Sequence, residues 1–184
     1  MKRLLLLAAI GFLCGSLNGF AQHTAKVQNV PGGTMVSYDN LSWSVPSDYF
    51  LSDFGPEGDA AYCLTFENDF EDYISLSIYP LDDSWKNCPP KDNWDYLVDY
   101  LEFYLDEVEE YSTSPVVFEL AYDKCETDIQ AVGQEYRING EEGEEFFYVE
   151  YCVAGKYGIL AESAAWEKEV RDALKAILHS IRIR

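Results

Sequence analysis

Apolar and polar positions along this chain change period several times, and the changes divide it into elements. From Asp92 to Tyr111, Trp94, Leu97, Val98, Leu101, Leu105 and Val108 recur at i, i+3, i+4 and i+7. At about 100° per residue they fall within an arc of about 100°, which predicts one helix with a single buried face. Asp92 or Asn93 stands where an N-cap is needed. A second stretch of that period, Ala164 to Ile181, puts Trp166, Val170, Ala173, Leu174, Ile177, Leu178 and Ile181 on one broad face. Elsewhere the period is two. In Tyr73 to Leu81, Ile74, Leu76 and Ile78 alternate with Tyr73, Ser75, Ser77 and Tyr79, the mark of a half-buried strand.

Further strands are expected at Met35 to Tyr38, Leu41 to Val45, Ala61 to Phe66, Val116 to Tyr122, Gln130 to Ile138, Glu145 to Val153 and Tyr157 to Glu162. Asp39-Asn40, Asn139-Gly140 and Ala154-Gly155-Lys156 sit where hairpin turns belong. Pro46 to Asp59, with two prolines and two glycines, reads as a loop packed down through Tyr49, Phe50, Leu51 and Phe54. The order is strands, helix, strands, helix, without βαβ alternation. It predicts an α+β fold, a mainly antiparallel sheet covered by two amphipathic helices.

The first residues change the domain picture. MKR, the apolar run Leu4 to Leu13 and the small residues up to Ala21 follow the order of a secretory signal peptide, with cleavage expected after Ala21. A lipoprotein reading through Cys14 has Leu13 where a small residue is required. The apolar run is shorter than the ~20 residues a membrane span needs. Residues 22–33 then read as a flexible lead-in ending in Pro31-Gly32-Gly33, and 34–184 as a single domain. Export is expected, to the periplasm or beyond the cell.

Charge narrows the partners. The chain carries a formal charge of −20, and removing residues 1–21 with Lys2 and Arg3 takes it to −22. Such acidity excludes nucleic acid and anionic membrane surfaces, which demand basic patches, and points to a cation or a basic protein partner. The first helix is the extreme case. Asp92 to Tyr111 holds eight carboxylates and no Lys or Arg. Asp99, Glu102 and Asp106 lie on its acidic flank, and Tyr96, Tyr100 and Phe103 recur on the side away from the Trp94 face. These six are the candidate binding residues, because contiguous exposed aromatics mark partner surfaces.

Other chemistries find little support. Four cysteines remain after the signal, Cys63, Cys88, Cys125 and Cys152, an even number that predicts two disulfides in an exported chain. All three pairings are open, with Cys88 to Cys125 favoured by the turn residues around both. No CxxC pair is present for zinc. The acidic turns at Glu67, Asp69, Glu71 and Asp72, and at Glu141, Glu142, Glu144 and Glu145, lack the ligand spacing of a calcium loop. A Ser-His-Asp hydrolase would have to use His179, and neither a G-x-S-x-G elbow nor a phosphate loop occurs, so no catalytic residue and no cofactor is assigned. A hydrolase acting on carbohydrate or peptide through two carboxylates is the alternative function, although 33 acids make some pair inevitable.

Four segments together resemble the PsbP-like fold family: LSWSVPSDY (Leu41 to Tyr49), ISLSIY (Ile74 to Tyr79), the central helix, and the ending Ile177-Leu178-His179-Ser180-Ile181. That family includes a photosynthetic oxygen-evolving subunit, a nuclear-transport factor and small exported bacterial proteins. The resemblance implies an α/β/α sandwich and a non-enzymatic binding or accessory role. It carries no binding residue onto this chain, and the acidity and four cysteines depart from the family's pattern.

Overall fold

Two hairpins start the domain. Lys26–Val30 (β1) turns through Pro31-Gly32 into Gly33–Tyr38 (β2), which pairs with Leu41–Pro46 (β3). Gly32 at φ 89° supplies the left-handed conformation of the first turn, so part of the expected lead-in is a paired strand. The computed structural model describes residues 24–57, 60–70, 72–81, 94–118, 122–126, 129–140, 143–164 and 168–184. The expected signal peptide, the connection Asp82 to Asp92 with Cys88, the N-cap pair and Trp166 lie outside them.

The larger sheet is built from Phe50–Glu57 (β4), Ala60–Glu67 (β5), Tyr73–Pro80 (β6), Val116–Phe118 (β7), Asp123–Glu126 (β8), Gln130–Gly140 (β9), Gly143–Ala154 (β10) and Tyr157–Ala164 (β11). Its order is β4-β5-β6-β11-β10-β9-β7, with β8 also paired to β9, and every pairing is antiparallel. The expected loop Pro46 to Asp59 thus contains β4, an edge strand. Irregular register at Leu51/Asp53 and Gly55/Glu57 breaks its alternation, which hid it from a period-two reading. Trp94–Tyr111 forms α1 and Lys168–His179 forms α2. Arg182–Ile183 (β12) closes the smaller sheet, ordered β1-β2-β3-β12.

Strand parity assigns each side chain to a face. Tyr62, Ile78, Ile159, Cys152 and Ala131 follow one another across β5, β6, β11, β10 and β9, and all belong to one buried cluster with Leu174, Ile177 and Leu178 of α2 and Leu41, Trp43 and Val45 of β3. One residue along each strand, Leu160, Tyr151 and Val132 belong to a second cluster with Leu97, Leu101 and Leu105 of α1. The two clusters therefore lie on opposite faces of the larger sheet, the α2 face and the α1 face. Trp94, Val98 and Val108, partly buried, pack against the second cluster. Each such fully buried aliphatic contributes about 1.5–3 kcal/mol relative to exposure.

Two glycines allow a tyrosine on each face. A Cβ on Gly133 would collide with the Tyr148 hydroxyl, and one on Gly158 with that of Tyr151, so both rings of β10 lie across a neighbouring strand only because those positions are bare.

The same registers overturn the expectation of two disulfides. Cys63 is level with Ser77, Leu160 and Tyr151, which puts it on the α1 face, three strands from Cys152 on the α2 face. Cys125 is in register with Ala131, which faces Cys152, so two strand spacings, about 10 Å, separate Cys125 from Cys152, beyond the ~7 Å a disulfide can bridge. Cys63 and Cys125 stand five strands apart. Each of the three two-disulfide pairings contains one of these impossible pairs. The favoured partner of Cys125, Cys88, lies outside the described residues.

Candidate functional site

Helix α1 is where acidity and exposed aromatic surface meet. Its inner leucines fix its rotation, and that rotation turns Asp99, Glu102, Phe103 and Asp106 outward. Phe103 is 60% exposed and Tyr111 51% exposed, large apolar side chains left in water near the C-terminal end of the helix. They border an open hollow of about 390 Å³ with Asp106, Glu107 and Glu110. Phe103, Glu107 and Tyr111 succeed one another at i, i+4 and i+8, so one stripe supplies most of the lining. Partial burial, then the neighbouring Glu110, pushes the Glu107 carboxyl above the usual carboxylate range. Among the described residues none of Asp106, Glu107 and Glu110 makes an ion pair, and the last turn of α1 carries no basic residue against the helix dipole.

The six predicted residues divide between two environments. Phe103, Asp99, Glu102 and Asp106 are exposed, and Glu102 accepts a 2.6 Å hydrogen bond from the Tyr122 hydroxyl. Burial, then that bond, pushes Tyr122 up to about 12. Tyr100 instead stacks on Tyr151 with ring centroids 4.0 Å apart and 14° between planes. Tyr96 is half-buried in the same cluster and hydrogen-bonded to Tyr151. Glu107, Glu110 and Tyr111, which line the hollow, were not among the candidates; the i, i+4, i+8 stripe from Phe103 was the available signal.

Two interior carboxylates also went unread. Glu162 of β11 lies under α1, where Tyr104 donates to its Oε1 at 3.0 Å and Tyr136 donates to the same oxygen. Burial raises its carboxyl above the usual range, and the two hydroxyls oppose the rise. Glu150 of β10, 1% exposed, lies on the α2 face. Its Oε2 accepts from Tyr148 at 2.8 Å and its Oε1 lies 3.1 Å from Nε2 of His179. Arg171 and Lys175 sit over the Tyr148 ring, 4.9 and 5.2 Å from its centroid, and Arg171 also pairs with Glu135. Glu162 is level with Val149 and Glu150 with Ala161, so the two carboxylates point to opposite faces of the sheet and share no site. Among the described residues no group of three metal-ligating side chains converges, and no helix is long and apolar enough to cross a membrane.

No protein-family model matches the chain, and no curated protein sequence is significantly similar to it. Solved structures do match. The solution structure of cyanobacterial PsbP (CyanoP) from Synechocystis superposes with a TM-score of 0.57 at 15% identity, covering 94% of this chain and 98% of that one. A crystal structure from Bacteroides thetaiotaomicron matches with a TM-score of 0.50 at 11% identity over 79% of this chain, which spans 45% of that chain's length. Order of elements, the mostly antiparallel sheet with its two helices and near-complete mutual coverage give one conclusion: the fold is PsbP-like.

Proposed function

We propose that this chain is an exported, non-enzymatic binding or accessory protein, an α/β/α sandwich that presents the outer flank of α1 to a basic protein partner. The observation that carries the reading is that exposed Phe103 and Tyr111 flank Asp106, Glu107 and Glu110, acids with no ion pair among the described residues. Aromatic anchors surrounded by charge of one sign suit a partner that brings Lys or Arg beside an apolar group. Asp99 and Glu102 extend the same field along the helix. Export rests on the leader-like residues 1–21 and on the acidity of the rest. The rival reading, a two-carboxylate hydrolase, loses ground because Glu150 and Glu162 face opposite sides of the sheet and the hollow on α1 is open.

The test compares the mature protein with the triple variant F103A/D106K/E110K as baits in the envelope fraction of the exporting cell. A basic protein retained at low salt by the wild type, lost with the variant and released by moderate salt is the expected result. Equal recovery by both baits overturns the assignment of this surface, and recovery of no protein by either counts against the binding role.

A further inference from the structure

The carboxyl group of Glu162 has the geometry of a switch. It lies between the helix and the sheet, touched from α1 by the Tyr104 hydroxyl and from β9 by the Tyr136 hydroxyl. From β6, Tyr73 lies close enough to feel its charge, and Glu145 of β10 adds to the field at Tyr73. On β10 the residue directly opposite is the apolar Val149. Among the described residues no Lys, Arg or His pairs with Glu162, and Arg137, which pairs with Glu144, projects from the opposite face of the sheet. Both tyrosines converge on Oε1, and Oε2 has no partner among the described groups. Glu150, by contrast, has a partner on each oxygen, the Tyr148 hydroxyl on one and the His179 imidazole on the other.

We propose that Glu162 is a proton-linked clamp for α1: with a proton on Oε2 it ties helix to sheet through two tyrosine hydroxyls, and on losing that proton it loosens the helix. An ionised carboxylate there keeps the same two donors but has no counter-charge, so its desolvation is only partly offset. The neutral acid loses neither bond, because Oε1 still accepts from Tyr104 and Tyr136.

The sign follows from linkage. Burial raises the carboxyl in the folded state above its unfolded value, so the folded chain holds the proton over a pH range in which the unfolded chain has released it. Stability from this group is present at acid pH and is lost as pH rises from the ordinary carboxylate range through the raised value. The clamp does not depend on what α1 binds. Its test is accordingly made on the mature protein alone.

Thermal unfolding across pH is compared for wild type and Glu162→Gln, which is neutral at every pH and keeps an acceptor for both hydroxyls. Other acids make both proteins less stable as pH rises, so the readout is the difference between them. The melting temperature of the variant should gain on the wild type by on the order of 2–4 °C as pH rises from the ordinary carboxylate range to above neutrality. Amide exchange in α1 should slow in the variant at the upper pH, with α2 unchanged. A difference that is constant across pH overturns the proposal. Should Glu162→Gln fail to fold, Tyr104→Phe supplies the second measurement. Removing one donor to the carboxylate raises the carboxyl further and extends the fall in stability to higher pH. A Tyr104→Phe profile parallel to wild type likewise overturns it.

Discussion

The two faces of the larger sheet solve the same problem with different chemistry. The α2 face is closed by fully buried side chains, with Leu174, Ile177, Ile78, Leu64 and Leu76 all at or below 1% exposure, and its aromatic rings, Trp43, Tyr62 and Tyr148 among them, are buried as well. A buried acid there, Glu150, is bonded on both oxygens, by the Tyr148 hydroxyl and the His179 imidazole. The α1 face is built from tyrosines. Tyr79, Tyr96, Tyr100, Tyr104 and Tyr122 are only partly buried there, and Glu162 has hydroxyls but no cation among the described residues. Burial pushes Tyr100 and Tyr104 far above the ordinary phenol range, so both stay neutral donors at any physiological pH. Half-buried polar rings hold α1 while leaving it responsive to protons and charge, whereas the rings of the α2 face are sealed from water. The scaffold is thus carried on the α2 side and the adjustable element on the α1 side.

The sharpest way to break the contrast is to open the dry face. Trp43, 1% exposed, is among the largest buried side chains, and Trp43→Ala should cost about 3–5 kcal/mol by leaving a cavity between β3 and α2. Its Nε1 has no hydrogen-bond partner among the described residues, so Trp43→Phe discards an unmet donor and should cost far less. Chemical denaturation with a shared slope for the three proteins measures both. A Trp43→Ala loss below ~1 kcal/mol would mean that this face is not the scaffold.

Next in size is the imidazole. His179→Ala leaves one oxygen of a buried carboxylate without its donor and should cost about 1–3 kcal/mol. The double variant Glu150→Gln/His179→Ala should recover part of that loss, because the charge that needed the partner is gone. On the other face, Tyr100→Leu keeps the apolar contact but removes the stacked ring over Tyr151, at about 0.5–1.5 kcal/mol. The ordering His179→Ala above Tyr100→Leu is what the comparison requires, and a reversal in the denaturation series would contradict it.

How much of this was legible in the sequence follows the same division. The inner face of α1 and the alternation of Ile74, Leu76 and Ile78 were readable because each has one buried and one solvated side. Glu150 and Glu162 were not, because β10 and β11 are covered on both faces and alternation there separates two interiors rather than inside from outside. The short strand β12 is held by its pairing to β3 and by Arg184 N–H donating to Asn40 O, contacts that no local pattern announces. The back of α1 was read by angle alone. Angle placed Tyr100 with Phe103, and only the position of the Tyr151 ring decides that one is stacked and the other exposed. The two-disulfide expectation failed for a related reason, since counting cysteines says nothing about the face or strand on which each falls.

The smallest effect expected is electrostatic, and it isolates the α1 side. Asp95 with Asp99, Glu102 with Asp106, and Asp106 with Glu110 are like charges one turn apart, each costing about 0.2–0.5 kcal/mol, and Glu109 and Glu110 oppose the dipole at the helix end. Across the sheet, α2 mixes acids with bases, and its Arg171 pairs with Glu135 while its Lys175 lies over Tyr148. Salt screens exposed repulsion far more than buried pairs. Raising ionic strength from low to moderate should therefore lift the melting temperature of the mature protein by roughly 1–2 °C. Asp106→Lys, which turns both of that residue's repulsive pairs, with Glu102 and with Glu110, into attractive ones, should raise the low-salt value and flatten the dependence. If that variant responds to salt as the wild type does, the strain lies elsewhere in the acidic surface; if the wild type itself fails to gain stability with salt, packing of the tyrosine face already outweighs it, and α1 is no less firmly held than α2.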